Sequence, residues 1–134
     1  MVCKRIEQNF ESRPESVAAA RRLVAAALND WGIDDTETGR VFLSEILLIV
    51  SELSTNAVEA TAEDFRLTVA QAADYVDIAV EDSDPRPAEL IVAGPDDATG
   101  RGLALVAALS SSWGQDMHDG NSKRVWARVA RPPT

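Results

Sequence analysis

Four polar residues interrupt the most apolar stretch of the sequence, and their spacing places them together. Glu45, Glu52, Asn56 and Glu59 fall within about 60° of arc on a helix turning roughly 100° per residue. Three carboxylates on one narrow stripe repel one another unless water or a cation lies beside them. The stripe is therefore either a solvated helix face or the wall of a cleft. In a cleft, Asn56 can offer its carbonyl oxygen to Mg²⁺, a hard ion that prefers few protein oxygens plus phosphates and waters. Glu52, one turn earlier, is then placed to accept a proton or to orient a nucleophile.

Two further groups break the pattern of their own segments. Val76, Ile78 and Val80 share one face of a strand by period-two alternation, and Asp82 continues that core-facing row. A carboxylate there needs donors, either a backbone N–H of the following turn or an exocyclic amine such as that of adenine. Gly100-Arg101-Gly102-Leu103 precedes an apolar helical pattern. Two glycines let a backbone approach a ligand closely, and a helix start presents unpaired N–H groups to an anion, to which Arg101 can add a charge-assisted bond. The same residues also suit an ordinary tight helix entry.

The elements that must position these groups are legible in outline. Residues 2–10 alternate loosely and read as an edge strand. Ser12-Arg13-Pro14-Glu15 reads as a capping box with proline in the first turn, followed by Val17, Ala20, Val24, Ala27, Leu28 and Trp31 at helical spacing, with Gly32 as the stop. A second helix over 38–62 is apolar around most of its circumference and should be buried on more than one side. Strands are expected at 65–70 and 75–81. After the breakers Pro85, Pro87, Gly94 and Pro95 comes a third helix with Leu103, Val106, Ala107 and Leu109 inward, then a hairpin of 113–117 and 125–129 turning at Asp119-Gly120. This order predicts an α/β two-layer sandwich with helices on one face of a mixed, mainly antiparallel sheet. Residues 1–130 form its one domain and 131–134 a tail.

Composition removes several alternatives. With 134 residues and 46% hydrophobic content, one core can be filled without staples. Cys3 is the single cysteine and His118 the single histidine, so a disulfide framework and Cys/His zinc sites are excluded. Cys3 reads as an inert thiol and His118 as a turn residue. Lys4 and Lys123 are the only lysines, and neither follows a glycine-rich loop, which excludes a P-loop. A net charge of −9 argues against direct binding to nucleic acid or to an anionic membrane. The first residues lack the apolar run of a secretory leader, and the expected location is the cytoplasm.

Taken in order, Leu48-Ile49-Val50-Ser51-Glu52-Leu53-Ser54-Thr55-Asn56-Ala57, the strand ending at Asp82, and Thr99-Gly100-Arg101-Gly102-Leu103 resemble the N, G1 and G2 boxes of the histidine-kinase-like (GHKL) ATPases. More narrowly, the chain is similar to the small anti-sigma-factor serine kinases of Gram-positive bacteria, from about residue 14 to 129. Ala20-Arg21-Arg22, Trp113-Gly114 and Val125-Trp126 add to that likeness. The resemblance implies a GHKL fold holding ATP and Mg²⁺: Asn56 on the metal, Glu52 activating the acceptor serine, Asp82 on the adenine amine, and Gly100, Arg101, Gly102 and Leu103 at the phosphates. It implies transfer of the γ-phosphate to a serine of an anti-anti-sigma-like partner, alternate binding of a sigma factor, and a homodimer. The sequence departs from the pattern at Ser83-Asp84-Pro85-Arg86-Pro87 after Asp82, at Glu59, in the lid candidate 84–98, whose one cation is Arg86, and at Arg124, where a small hydroxyl residue often stands. With lysine so scarce, Arg101 and Arg124 are the phosphate-binding cations expected. The departures define the alternative, a non-catalytic nucleotide-responsive binding module.

Overall fold

A computed structural model describes residues 2–83, 101–118 and 122–133. The chain runs β1 (Val2–Phe10), α1 (Pro14–Asp30), a 3-10 turn (Ile33–Asp35), α2 (Glu37–Ala60), β2 (Phe65–Ala72), β3 (Tyr75–Asp82), α3 (Arg101–Leu109), β4 (Ser112–His118) and β5 (Ser122–Ala130). Every element expected from the sequence is present. His118 closes β4 opposite Ser122 rather than sitting in a turn, and the lid candidate 84–98 and the hairpin turn Asp119-Gly120 lie outside the described residues.

The strands form one sheet in the order β1-β2-β3-β5-β4. All four pairings among the described residues are antiparallel, in keeping with the mainly antiparallel sheet expected. β3 and β4 both run antiparallel to β5 and hence parallel to each other, with β5 inserted between them. The connection through α3 carries the chain across that gap.

The three helices share one face of the sheet. Ala20, Val24, Ala27 and Leu28 of α1 are buried at helical spacing, and α2 buries Phe42, Ile46, Ile49, Val50, Leu53 and Ala57. These meet the inward rows Leu67 and Val69 of β2, Val76, Ile78 and Val80 of β3, and Val125, Ala127 and Val129 of β5. Phe10 and Phe65, register partners on β1 and β2, stack at 5.5 Å between centroids. The 24 residues of α2 have the length and apolarity of a membrane span, but most of its large apolar side chains are taken up by this core, with Val41 and Leu48 left exposed.

The helix ends carry one correction. Arg13, not Ser12, occupies the N-cap of α1, and no side chain caps it. The Ser12 hydroxyl donates instead to the carbonyl of Thr61 at 2.5 Å, with that of Val58 at 3.3 Å. Carbonyls left over at the end of α2 are as much in need of a partner as the N–H groups at the start of α1, and they win the hydroxyl. Thr36 does cap α2, accepting from the Gly39 N–H at 2.9 Å. Gly32, with φ of 80°, provides the left-handed residue that ends α1 and turns the chain toward α2.

The sheet's other face has no helix layer among the described residues. Its cover is a ladder of charge. Arg66, Glu81, Arg124 and Asp116 are successive register partners across β2, β3, β5 and β4. Arg66 bonds Glu81 at 2.8 Å and reaches Glu7 at 3.5 Å, and Arg124 reaches Asp116 at 3.5 Å. Arg128 grips Asp77 through two hydrogen bonds of 2.8 and 3.0 Å and lies 3.7 Å above the Tyr75 ring. The hydrogen bond from Arg66 to Glu81 and that from Arg128 to Asp77 each hold the guanidinium even more firmly protonated than usual.

Candidate active site

α2 sets Glu52 and Asn56 one turn apart, about 6 Å along its axis. Both are half-buried, while Leu53 and Ala57 on the adjoining face are buried in the core. Glu45 is half-buried and Glu59 exposed, so the polar stripe lies at the margin of the helix's buried surface. No group of three His, Cys, Asp or Glu side chains able to hold a metal occurs among the described residues. A divalent ion here would depend on the Asn56 oxygen and on ligands from a phosphate or water.

α3 brings its first turn to Glu52. A methyl group built on Gly102 would stand 2.7 Å from Glu52 Oε2, so a side chain there collides with the carboxylate. Glycine at this position is what allows the backbone of the helix start to come so near. Leu103 anchors the same turn by burying its side chain in the core, which leaves its main chain at the helix start. The unpaired N–H groups of that turn and the half-charge they carry are suited to an anion. Arg101 opens the helix, and Gly100 lies outside the described residues. Gly102 thus comes against Glu52, with Leu103 the next residue of the same turn.

Asp82 ends β3 on the helix-facing side and is 3% exposed, as the alternation predicted. The C-terminal end of α2 lies at the same edge of the molecule, since β2 begins just after it and pairs Arg66 with Glu81. Thr61, the C-cap of α2, meets Ser83 hydroxyl to hydroxyl at 3.5 Å. A cationic partner for Asp82 stands on the neighbouring strand. Lys123 is its direct register partner on β5, only 1% exposed, with Nζ 3.5 Å from Asp82 Oδ1. Two opposite charges held out of water this way are expensive to separate: removing one partner of a buried pair costs about 3–5 kcal/mol.

Lys123 was missed, and Arg124 took its place in the expectation. β5 alternates as strictly as β3: Lys123, Val125, Ala127 and Val129 face the helices, and Arg124 faces the other way. Its side chain is 38% exposed and belongs to the charge ladder with Asp116. Arg124 is therefore on the wrong side of the sheet to bind a phosphate held by α2 and α3. The period-two rule that located Asp82, applied to β5, finds Lys123 as well.

The sequence matches the histidine kinase-like ATPase domain family over residues 10–129. No curated protein matches it significantly in sequence. Among solved structures, the fold is similar to the crystal structure of the RsbU and RsbW domains of Rv1364c from Mycobacterium tuberculosis, with a TM-score of 0.70 at 19% identity. That similarity covers 97% of this chain and 33% of the other, so the chain spans about a third of its neighbour's length.

Proposed function

The chain belongs to the histidine kinase-like ATPase domain family, and from that premise we propose that it is a cytoplasmic, homodimeric serine kinase. It would bind Mg²⁺-ATP between α2 and α3 and phosphorylate a serine of an anti-anti-sigma-like protein, with a sigma factor as its alternate partner. The observation that carries this reading is the approach of the α3 start to Glu52. It sets an anion-binding helix end beside a carboxylate, one turn from an amide oxygen. The phosphate end of the site thus fits the nucleotide, while the base end departs from a simple fit because Lys123 already engages Asp82.

When bound, Mg²⁺-ATP supplies the phosphoryl group and the cation that neutralises it. The chain's own residues would do the rest. Asn56 would hold the metal through its side-chain oxygen. Backbone N–H groups of Gly100, Arg101, Gly102 and Leu103 hold the phosphates, where positioning and charge neutralisation supply most of the rate. Glu52 would accept the proton of the incoming serine hydroxyl as its oxygen bonds to the γ-phosphorus and the bond to the leaving ADP oxygen breaks. Asp82 would be the acceptor for the adenine amine.

Calorimetric titration of Mg²⁺-ATP into the protein, followed by incubation with γ-labelled ATP and an anti-anti-sigma-like domain, tests the reading. Binding together with a labelled phosphoserine is expected, and no binding at millimolar nucleotide would overturn it. The Asp82–Lys123 pair favours a second reading, a nucleotide-responsive binding module without turnover. Binding without phosphoserine would select that one.

A further inference from the structure

The base end of the site contains a residue that the phosphate-transfer reading does not use. Lys123 and Asp82 are register partners at the ends of β5 and β3, and their side chains are 2% and 1% exposed. The ammonium stands 3.5 Å from Oδ1. Its aliphatic stem continues the inward row of Val125, Ala127 and Val129, the sheet face that α2 covers. A lysine in that place does two things to an incoming purine. It engages the acceptor that the exocyclic amine would use, and it compensates the charge that would make that bond strong, because bonds to an ionised group are roughly twice as strong as neutral ones. Its methylenes also fill space beside the carboxylate.

We propose that Lys123 is an affinity-setting residue, an internal donor that stands in for the adenine amine on Asp82 and must withdraw before a base can bind. The proposal rests on the ATP reading above and adds the chain's own competitor to it. The protein then binds Mg²⁺-ATP weakly for a reason confined to one side chain, and removing the ammonium strengthens binding although it takes away a positive charge from a site for a polyanion. General electrostatics predicts the opposite sign, which makes the two accounts separable.

The test compares wild-type protein with Lys123→Thr and Lys123→Gln by calorimetric titration of Mg²⁺-ATP, with circular dichroism as the check on folding. Lys123→Thr should bind about tenfold more tightly, the value of roughly one charge-assisted hydrogen bond regained. Glutamine is one bond shorter and keeps a neutral N–H directed along the same row, so Lys123→Gln carries the test if the threonine variant does not fold. It should gain about threefold, since a neutral donor holds the carboxylate less strongly. The rise in Tm on adding Mg²⁺-ATP should be larger in each folded variant than in wild type, because stabilisation by a ligand grows with its affinity. Equal or weaker binding in a folded variant overturns the proposal and leaves the ATP reading intact. Absence of binding in wild type and variants alike overturns both.

Discussion

Gly102 and Glu52 make the sharpest case for reading individual residues by contact. The clash predicted for Gly102→Ala falls on the far end of a flexible carboxylate, which can swing aside at little cost, and alanine is the better helix former by about 1 kcal/mol. The variant should therefore keep its stability within about 1 kcal/mol. Phosphotransfer should fall at least tenfold, because Glu52 no longer sits where it was, while nucleotide binding should change far less. Glu52→Ala alone should abolish transfer and spare nucleotide binding; retained transfer would remove its assigned role. Arg124→Ala, on the opposite face of the sheet, should leave Mg²⁺-ATP affinity within about twofold, as expected of a surface charge outside the site. Asp82 was legible in the sequence because a strand's period continues to its last residue. Lys123 was legible by the same rule and was overlooked because the family pattern drew attention to its neighbour, a basic residue where a hydroxyl often stands.

At the level of elements, the order and type of the eight α-helices and strands among the described residues could be read from spacing, because each buries one face and its apolar residues recur at the matching period. What spacing could not supply were contacts between segments distant in sequence. Ser12 illustrates this: a hydroxyl at a helix start looks like a cap, and the carbonyls that take it belong to residues more than forty positions later. Thr36, whose partner is only three residues on, behaves as a local rule says it should. Thr36→Ala should lower stability by about 1 kcal/mol in chemical denaturation. Gly39→Ala should cost far more, about 3 kcal/mol or above, since its added methyl would overlap the backbone carbonyl of Ile33, which has no side-chain freedom with which to yield. If Gly39→Ala proved the milder of the two, the 3-10 turn would not be packed against the first turn of α2 as described.

Across the whole molecule, charge is divided by layer. On the outer sheet face Arg5, Arg66, Arg124 and Arg128 stand among Glu7, Asp77, Glu81 and Asp116, four against four, most of them in direct ion pairs. Residues 11–64, which hold α1 and α2, contain four arginines and eleven acidic residues, a balance of −7 within the total of −9. Inverting one rung of the ladder tests its alternation. Glu81→Lys places a cation between Arg66 and Arg124 and should cost on the order of 1 kcal/mol, a loss that added salt should partly restore, whereas salt should weaken the wild-type pairs. The same division gives the described residues an electric moment directed from the acidic helices toward the neutral outer face of the sheet. A positively charged surface, whether a chromatography bead or a sensor chip bearing amines, will therefore capture it helices inward and present the sheet to solution. Immobilised in that way, it would display its charge ladder and turn α1 and α2 away from anything added afterwards.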